Sequence, residues 1–210
     1  MRKSPILLII CLLLSNLGHG QPLSKAPLNA ELIWMLGRVS NPSLSPDGKT
    51  VVYGVRRFNI QDNKGFNSLY TMPLAGGTPV EIAKPNDRAS NPVWHPSGKK
   101  IFFLSSKSGS SQVWMMNTDG SDKEQVSFTD TDVTNLAFAP NGVNVWIARD
   151  VKTMESFRDY QSDLDKTTAR VYDDLMYRHW DQWSDQNSSH IFHVIYSEEK
   201  KRLAGEYKDI

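Results

Sequence analysis

The chain has 210 residues, a formal net charge of +1 and 39% hydrophobic residues. This composition is ordinary for a soluble globular protein, and a charge so near zero gives no indication of a nucleic-acid or anionic-membrane partner. The single cysteine, Cys11, lies so near the start that the rest of the chain has no disulfide, thiol nucleophile or cysteine metal site.

The start of the chain has the pattern of a secretory signal peptide, which we assign to residues 1–20. Arg2-Lys3 is a basic start, Ile6–Leu14 is an apolar run, and Gly18-His19-Gly20 supplies small residues, so we expect cleavage before Gln21. A membrane anchor is the alternative, but this apolar run is far shorter than the roughly 20 residues that span a bilayer. We therefore expect an exported protein, periplasmic or secreted, with no membrane partner after cleavage.

Residues 21–38 are predicted to form a mobile leader and then a short helix. Asn29 is a favourable N-cap for a helix over Ala30–Gly37. We expect Ile33 and Trp34 to pack this helix against the structure that follows, without a chemical role.

A short motif then occurs three times, in the segments Asn41–Tyr53, Asn91–Phe103 and Asn135–Trp146. Each copy has two strands rich in apolar residues on either side of a Pro-x-Gly turn. Proline presets φ at the second turn position and glycine accepts the positive φ that ends the turn. Each copy therefore predicts a β-hairpin.

The prolines of the three turns, at positions 46, 96 and 140, are 50 and 44 residues apart. Two more strands follow each hairpin, and four strands in a unit of this length are typical of a β-propeller blade. The predicted fold is therefore all-β, an incomplete propeller of about two and a half to three blades over residues 39–210. Because a closed propeller needs at least about four blades, we expect the chain to be the front part of a longer protein.

Two connections between strands differ from the repeat. In the first blade, Arg56–Asn67 is predicted to be a long polar loop, whose basic pair Arg56-Arg57 could hold a carboxylate but is more simply solvated. In the third blade, about 30 extra residues lie between the second and third strands, within residues 151–189. A connection of that length is expected to carry structure or function.

Within this insertion the stretch Thr168–Trp183 has a helical pattern. Tyr172, Met176, Trp180 and Trp183 recur at spacings of 4, 4 and 3, which predicts a helix with one aromatic face. Such a face more often packs against the protein than binds a ligand, although it can do both.

The sequence offers no catalytic machinery of its own. It contains no Gly-x-Ser-x-Gly motif, no His-Glu-x-x-His spacing and no phosphate-binding glycine loop. Asp163 and Asp165, with Asp173 and Asp174, do not match a calcium-binding EF-hand loop. We therefore predict no catalytic residue, no metal site and no cofactor within these residues.

Residues 29–210 resemble the exported peptidases of the prolyl oligopeptidase family. The helix segment Asn29–Ser40 and the Ser45–Lys49 turn contribute to this resemblance, but the TolB-type propellers share such turns. The stretch Ser162–Thr168 and, above all, Asp174–Trp183 is similar to the dipeptidyl-peptidase 5 and acylaminoacyl-peptidase-like branch.

The resemblance implies the propeller part of an exported serine exopeptidase that releases dipeptides, or N-terminal residues, from oligopeptides. In such proteins a C-terminal α/β-hydrolase domain, absent from these residues, carries the Ser, Asp and His of the triad. The propeller would gate and recognise the peptide substrate and contact its own hydrolase domain; a homodimer is left open. By analogy, the residues that line the substrate cavity are Tyr177, His179, Trp180, Asp181 and Trp183, and Asp181 would pair with the substrate ammonium.

A non-catalytic, TolB-like periplasmic propeller that binds a protein partner is the alternative function. It accounts for the repeats and for the signal peptide, but not for the aromatic insertion.

Overall fold

The computed structural model describes residues 27–210 except 156, 162, 165, 173, 174, 184 and 185. The predicted signal peptide with Cys11, its cleavage site and most of the leader lie outside the described residues, as do Ser162, Asp165, Asp173 and Asp174. The chain divides into two units, Met1–Ile33 and Trp34–Ile210. In the part that the structure describes, no helix is both long and apolar enough to cross a membrane.

A short helix, α1 (Ala30–Met35), precedes the sheets. Its first turn is capped as predicted, because the Asn29 side-chain oxygen accepts a hydrogen bond of 2.8 Å from the Leu32 N–H. The helix ends two residues earlier than predicted. Trp34, in its last turn, makes an edge-to-face contact with Phe58 at 5.0 Å between ring centroids.

Among the described residues, three antiparallel four-stranded sheets follow, and in the first two each strand pairs with the next strand along the chain. The first consists of β1 (Arg38–Leu44), β2 (Thr50–Asn59), β3 (Lys64–Pro73) and β4 (Val80–Ala83). The second consists of β5 (Ala89–Trp94), β6 (Lys100–Ser105), β7 (Gln112–Asn117) and β8 (Glu124–Gln125), after a 3₁₀ turn at Pro85–Asp87.

The third sheet is interrupted between its second and third strands. It consists of β9 (Val133–Phe138), β10 (Asn144–Lys152), β13 (Asn187–Ser197) and β14 (Arg202–Asp209). Between β10 and β13 the chain forms the helix α2 (Phe157–Tyr160) and a small hairpin of β11 (Arg178–His179) and β12 (Gln182–Trp183). The all-β fold of open, propeller-like blades is thus confirmed, with an insertion in the third blade.

The three Pro-x-Gly turns have the same geometry. Gly48, Gly98 and Gly142 have φ values of 70°, 72° and 70°. Each of these glycines donates its N–H to the carbonyl three residues earlier, at 2.8–2.9 Å. The sequence motif therefore specifies one local conformation three times.

The second blade is covered on both faces, which explains the uninterrupted apolar run of β6. Ile101 and Phe103 pack towards the first blade, whereas Phe102 and Leu104 pack towards the third. All four side chains are buried, as expected for a strand whose alternate residues both face a core. Two hydrophobic cores therefore separate the three blades.

The prediction of a polar loop over Arg56–Asn67 is wrong. β2 continues to Asn59 and β3 begins at Lys64, with Arg56 paired to Asn67 and Phe58 to Gly65. The connection is a tight turn in which Asn63 has a φ of 48°. β2 and β3 are therefore longer than the corresponding strands β6 and β7 of the second blade. Solvent, rather than a neighbouring sheet, covers the side chains of the extra length. Polar residues are tolerated there for that reason.

The prediction of a helix over Thr168–Trp183 is also wrong. The described residues of this stretch include no helix, and its end forms the β11–β12 hairpin. Two members of the predicted helical face, Met176 and Trp180, are 69% and 87% exposed. A helix of this length is only marginally stable in water unless its apolar face is buried. Nothing in the described part of the molecule covers the aromatic face that was predicted here.

Candidate functional site

The two ends of the sheets differ in how the chain connects the strands. The Pro-x-Gly turns of all three blades lie together at one end. An ideal Cβ at Gly98 would be 3.8 Å from Pro46 Cδ, and the His95 Nε2 donates to the Gly142 carbonyl at 2.9 Å. The connections from the second to the third strand, including the insertion, consequently leave from the opposite end. Because the long insertion between β10 and β13 lies there, we treat that end as the candidate site.

The insertion is anchored where β10 meets β13. Thr153 donates its N–H to the Gln186 carbonyl at 3.0 Å, and its hydroxyl lies 3.1 Å from that of Ser188. Lys152 forms ion pairs with Asp159 and Glu155. The Asp159 carboxylate beside it raises the pKa of the Lys152 ammonium, so this lysine stays charged at neutral pH.

Beyond this base, the insertion presents a cluster of three aromatic rings, in which Trp183 stacks on both Tyr172 and Tyr177. The centroids of Tyr172, Tyr177 and Trp183 are 6.0–6.1 Å from each other. The guanidinium of Arg178 lies 5.1 Å from the centre of the Trp183 ring. Tyr177 and Trp183 nevertheless remain 47% and 44% exposed, so the cluster has a face open to a ligand.

The tip of the insertion is the turn of the β11–β12 hairpin. His179 pairs with Gln182, which leaves Trp180 and Asp181 as the two residues of the loop. Trp180 has a φ of 54°, which a two-residue hairpin turn requires but which a tryptophan rarely adopts. Its ring lies 6.3 Å from that of His179 and is 87% exposed. Asp181 is exposed beside it.

The structure therefore brings the five predicted residues into one hairpin, but not onto one helical face. Tyr177 and Trp183 stack at its base, and His179, Trp180 and Asp181 lie at or beside its tip. Tyr172, which the sequence indicated only as part of a helix, completes the aromatic cluster. Aromatic rings next to an exposed carboxylate can hold an organic cation through ion pairing and cation–π contact. In the described residues, no group of three or more His, Cys, Asp or Glu side chains could hold a metal ion.

The opposite end carries a polar groove between the first and second blades. It has a volume of 620 Å³. A hydrogen bond from the Ser45 hydroxyl lowers the pKa of the Asp47 carboxyl, which lies on its wall. The Trp94 indole N–H donates to the Ser43 carbonyl at 3.1 Å, so this N–H is not available to a ligand. The groove is lined by Ser45, Pro46, Asp47, Thr50, Thr71, Trp94, Ser97, Gly98 and Thr118.

Comparison with known proteins identifies the relatives of this chain. The family model of the TolB β-propeller domain, PD40, matches residues 30–205. The chain is similar to dipeptidyl-peptidase 5 of Porphyromonas gingivalis, with 40% identity over 156 residues that cover 74% of this chain and 23% of that protein. It is 33% identical over 165 residues to dipeptidyl-peptidase 5 of Porphyromonas endodontalis, covering 79% of this chain and 24% of that protein. The chain thus spans about a quarter of the length of these curated relatives.

Solved structures with a similar fold include an acylaminoacyl peptidase of Pyrococcus horikoshii, with a TM-score of 0.62 and 15% identity over 85% of this chain and 26% of that chain. The β-propeller domain of the trilobed protease of Pyrococcus furiosus has a TM-score of 0.51 and 16% identity over 83% of this chain and 43% of that chain. At such low identity these two likenesses concern the fold alone, and they agree that the sheets are propeller blades.

Proposed function

The chain belongs to the TolB β-propeller domain family, and from that premise we propose that it is the propeller part of an exported serine exopeptidase that releases dipeptides. The observation that carries this proposal is its 40% identity to dipeptidyl-peptidase 5 over 156 residues. In the proposed protein, residues 1–20 direct export and residues 39–210 form the first blades. An α/β-hydrolase domain, encoded beyond Ile210, supplies the triad.

In this proposal the aromatic insertion recognises the free amino end of the peptide. The Asp181 carboxylate pairs with the substrate ammonium, while Trp180 and His179 border it at the tip. Tyr177 and Trp183 pack against the first side chain of the peptide. The exposure of these residues supports this role, because a ligand gains most from covering apolar surface that the fold leaves in water.

The test uses the complete protein and two fluorogenic dipeptide amides. One has a free amino group, and the other is the same compound with its amino group acetylated. We expect hydrolysis of the free-amine substrate only. Asp181→Asn should raise its KM by about tenfold, because a charged hydrogen bond is worth about 1.5 kcal/mol or more. Asp163→Asn is the matched control, since it removes an exposed carboxylate elsewhere in the same insertion. Failure of the complete protein to hydrolyse either substrate would exclude the peptidase function.

A non-catalytic propeller that binds a protein partner is the second candidate. The match to the TolB domain family favours it, and the polar groove between the first two blades would be its binding surface. The sequence that follows Ile210 in the gene distinguishes the two. Further blades followed by Gly-x-Ser-x-Gly support the peptidase, whereas a reading frame that ends with the propeller supports the binding module.

A further inference from the structure

Two arginines face each other across the first two strands, near the end from which the insertion leaves. Arg38 of β1 is paired in register with Arg56 of β2. Side chains that are paired in this way lie on the same face of the sheet, with Cβ atoms about 5 Å apart. Two like charges in this arrangement repel each other, so the pair is stabilised by its surroundings or by a ligand.

Two aromatic rings hold the guanidinium groups in place. The Arg38 Cζ lies 4.9 Å from the centre of the Trp34 ring and 4.5 Å from that of Phe58. The Arg56 Cζ lies 5.2 Å from the same Phe58 ring. Contact with a ring leaves the N–H groups, which lie in the plane of the guanidinium, able to donate to another molecule.

The strand opposite Phe58 makes room for this arrangement. Gly65 of β3 is the register partner of Phe58. A Cβ atom at Gly65 would lie 2.6 Å from Arg56 Nε and 3.0 Å from Phe58 Cε1. Any larger residue would therefore displace the guanidinium, so the glycine is part of what positions Arg56.

The structure gives this pair no counter-ion among the residues that it describes. No described carboxylate lies within 4.0 Å of Arg38 or Arg56, whereas Arg149 in the third blade has Asp130 at 2.6 Å. The neighbouring Arg57 points to the other face of β2 and donates to the Tyr70 hydroxyl at 3.3 Å. Arg38 and Arg56 thus have rings but no described acid beside them, whereas Arg149 has both a ring, Phe192, and an acid, Asp130.

We propose that Arg38 and Arg56 bind a peptide carboxylate, either of an acidic side chain or of the C-terminus. The inference rests on the proposed peptidase function, because that function makes a peptide the ligand. The planar fork of each guanidinium matches a carboxylate with two parallel hydrogen bonds, and an anion between the two arginines removes their repulsion. The pair lies at the end of the sheets from which the insertion leaves, which is the end that carries the candidate site.

The experiment measures binding of three pentapeptides to the complete protein by titration calorimetry. All three are N-acetylated, so that the proposed dipeptidyl peptidase, which requires a free amino group, leaves them intact. One has an aspartate and an amidated C-terminus, one has an asparagine and a free C-terminus, and one has an asparagine and an amidated C-terminus. We expect one or both carboxylate peptides to bind about tenfold more tightly than the neutral peptide, and the arm that does so identifies the source of the carboxylate.

Substitutions of the two arginines test whether this pair causes the tighter binding of the carboxylate peptides. Arg38→Gln and Arg56→Gln should each bring the Kd of the carboxylate peptide to that of the neutral one, while Arg57→Gln should leave it unchanged. Arg38→Lys and Arg56→Lys keep the charge and the fold but lose the fork, so we expect an intermediate Kd. Equal affinity for all three peptides, or the same loss in Arg57→Gln, would overturn the proposal.

Hydrolysis of the free-amine form of the same peptides separates this inference from the peptidase function. If the peptides are cleaved but show no carboxylate preference in Kd or KM, the arginine site is wrong and the peptidase function stands. If none is cleaved but the preference remains and depends on Arg56, the site stands and the peptidase function is wrong.

Discussion

The second blade and the insertion of the third blade use similar apolar residues in opposite ways. In β6, Ile101, Phe102 and Phe103 are at most 1% exposed, because a neighbouring blade covers each face of the sheet. In the insertion, Leu175 and Trp180 are 85% and 87% exposed. The buried second blade is therefore a rigid scaffold. The exposed insertion has apolar surface that a ligand or a further domain can cover.

The largest expected effect comes from removing a ring from the scaffold. Phe102→Ala should reduce the free energy of unfolding by about 3–5 kcal/mol, because its ring lies 4.7 Å from Phe138 and 5.0 Å from Tyr196 in a closed core. Trp180→Ala removes a larger ring from the insertion, yet it should change stability by less than about 0.5 kcal/mol.

Urea unfolding of the complete protein, followed by hydrogen exchange in the β6 segment, measures both variants. If the two substitutions cost about the same, the division into a buried scaffold and an exposed insertion is wrong.

A buried amide network sharpens the same comparison. The Gln112 side chain is 2% exposed. Its Oε1 accepts from the Ser127 hydroxyl at 2.7 Å and the Thr129 N–H at 3.0 Å, and its Nε2 donates to the Thr129 carbonyl at 3.0 Å. Gln112→Leu should cost about 2–3 kcal/mol, because it leaves these buried groups without a partner.

The matched control is Gln182→Leu in the exposed β11–β12 hairpin, for which we expect less than about 0.5 kcal/mol. Thermal unfolding of the two variants in the same buffer measures the loss of stability that each substitution causes. A loss of stability in Gln182→Leu equal to that in Gln112→Leu would mean that the hairpin is part of the packed structure.

The scaffold could be predicted from the sequence because its signals are local and repeated. A Pro-x-Gly turn between apolar strands needs only its own residues, and all three hairpins were found where they were predicted. The uninterrupted apolar run of β6 also follows from burial, since each face of the second blade meets a neighbouring blade. The Gln112 network could not be predicted, because its partners, Ser127 and Thr129, lie in an irregular segment.

Both errors of the sequence interpretation fall where burial is absent. The polar Arg56–Asn67 segment looked like a loop, but its polarity reflects strands that extend past the neighbouring blade. The spacing of Tyr172, Met176 and Trp180 looked helical, but periodicity predicts a helix only where one face is buried. The identities of the candidate residues could be taken from the sequence, whereas their arrangement in a hairpin could not.

The smallest expected effect concerns the ion pair between Asp87, in the turn that connects β4 to β5, and Lys123. Burial acts to raise the pKa of the Asp87 carboxyl, but the Lys84 N–H and the Lys123 ammonium outweigh it and lower the pKa. A lowered folded-state pKa adds stability above the unfolded pKa of about 3.9, and this stability is lost as the pH falls through the folded value. Asp87→Asn should therefore cost about 1 kcal/mol at pH 7, and this cost should diminish as the pH falls below about 3.9.

Asp181→Asn in the insertion serves as the control, with no expected change in stability at either pH beyond about 0.5 kcal/mol. Thermal unfolding at a series of pH values measures both. A cost for Asp87→Asn that does not diminish in acid would show that the charge of Asp87 is not what stabilises this connection.

Hydrogen–deuterium exchange of the complete protein, with and without a dipeptide that has a free amino group, tests the central claim most directly. We expect the amides of residues 175–183 to exchange within seconds in the free protein and to slow at least about tenfold with the dipeptide bound. The amides of β6 should be protected equally in both states. Unchanged exchange in residues 175–183 at a saturating dipeptide concentration would contradict the account of the insertion as the ligand-binding part of this propeller.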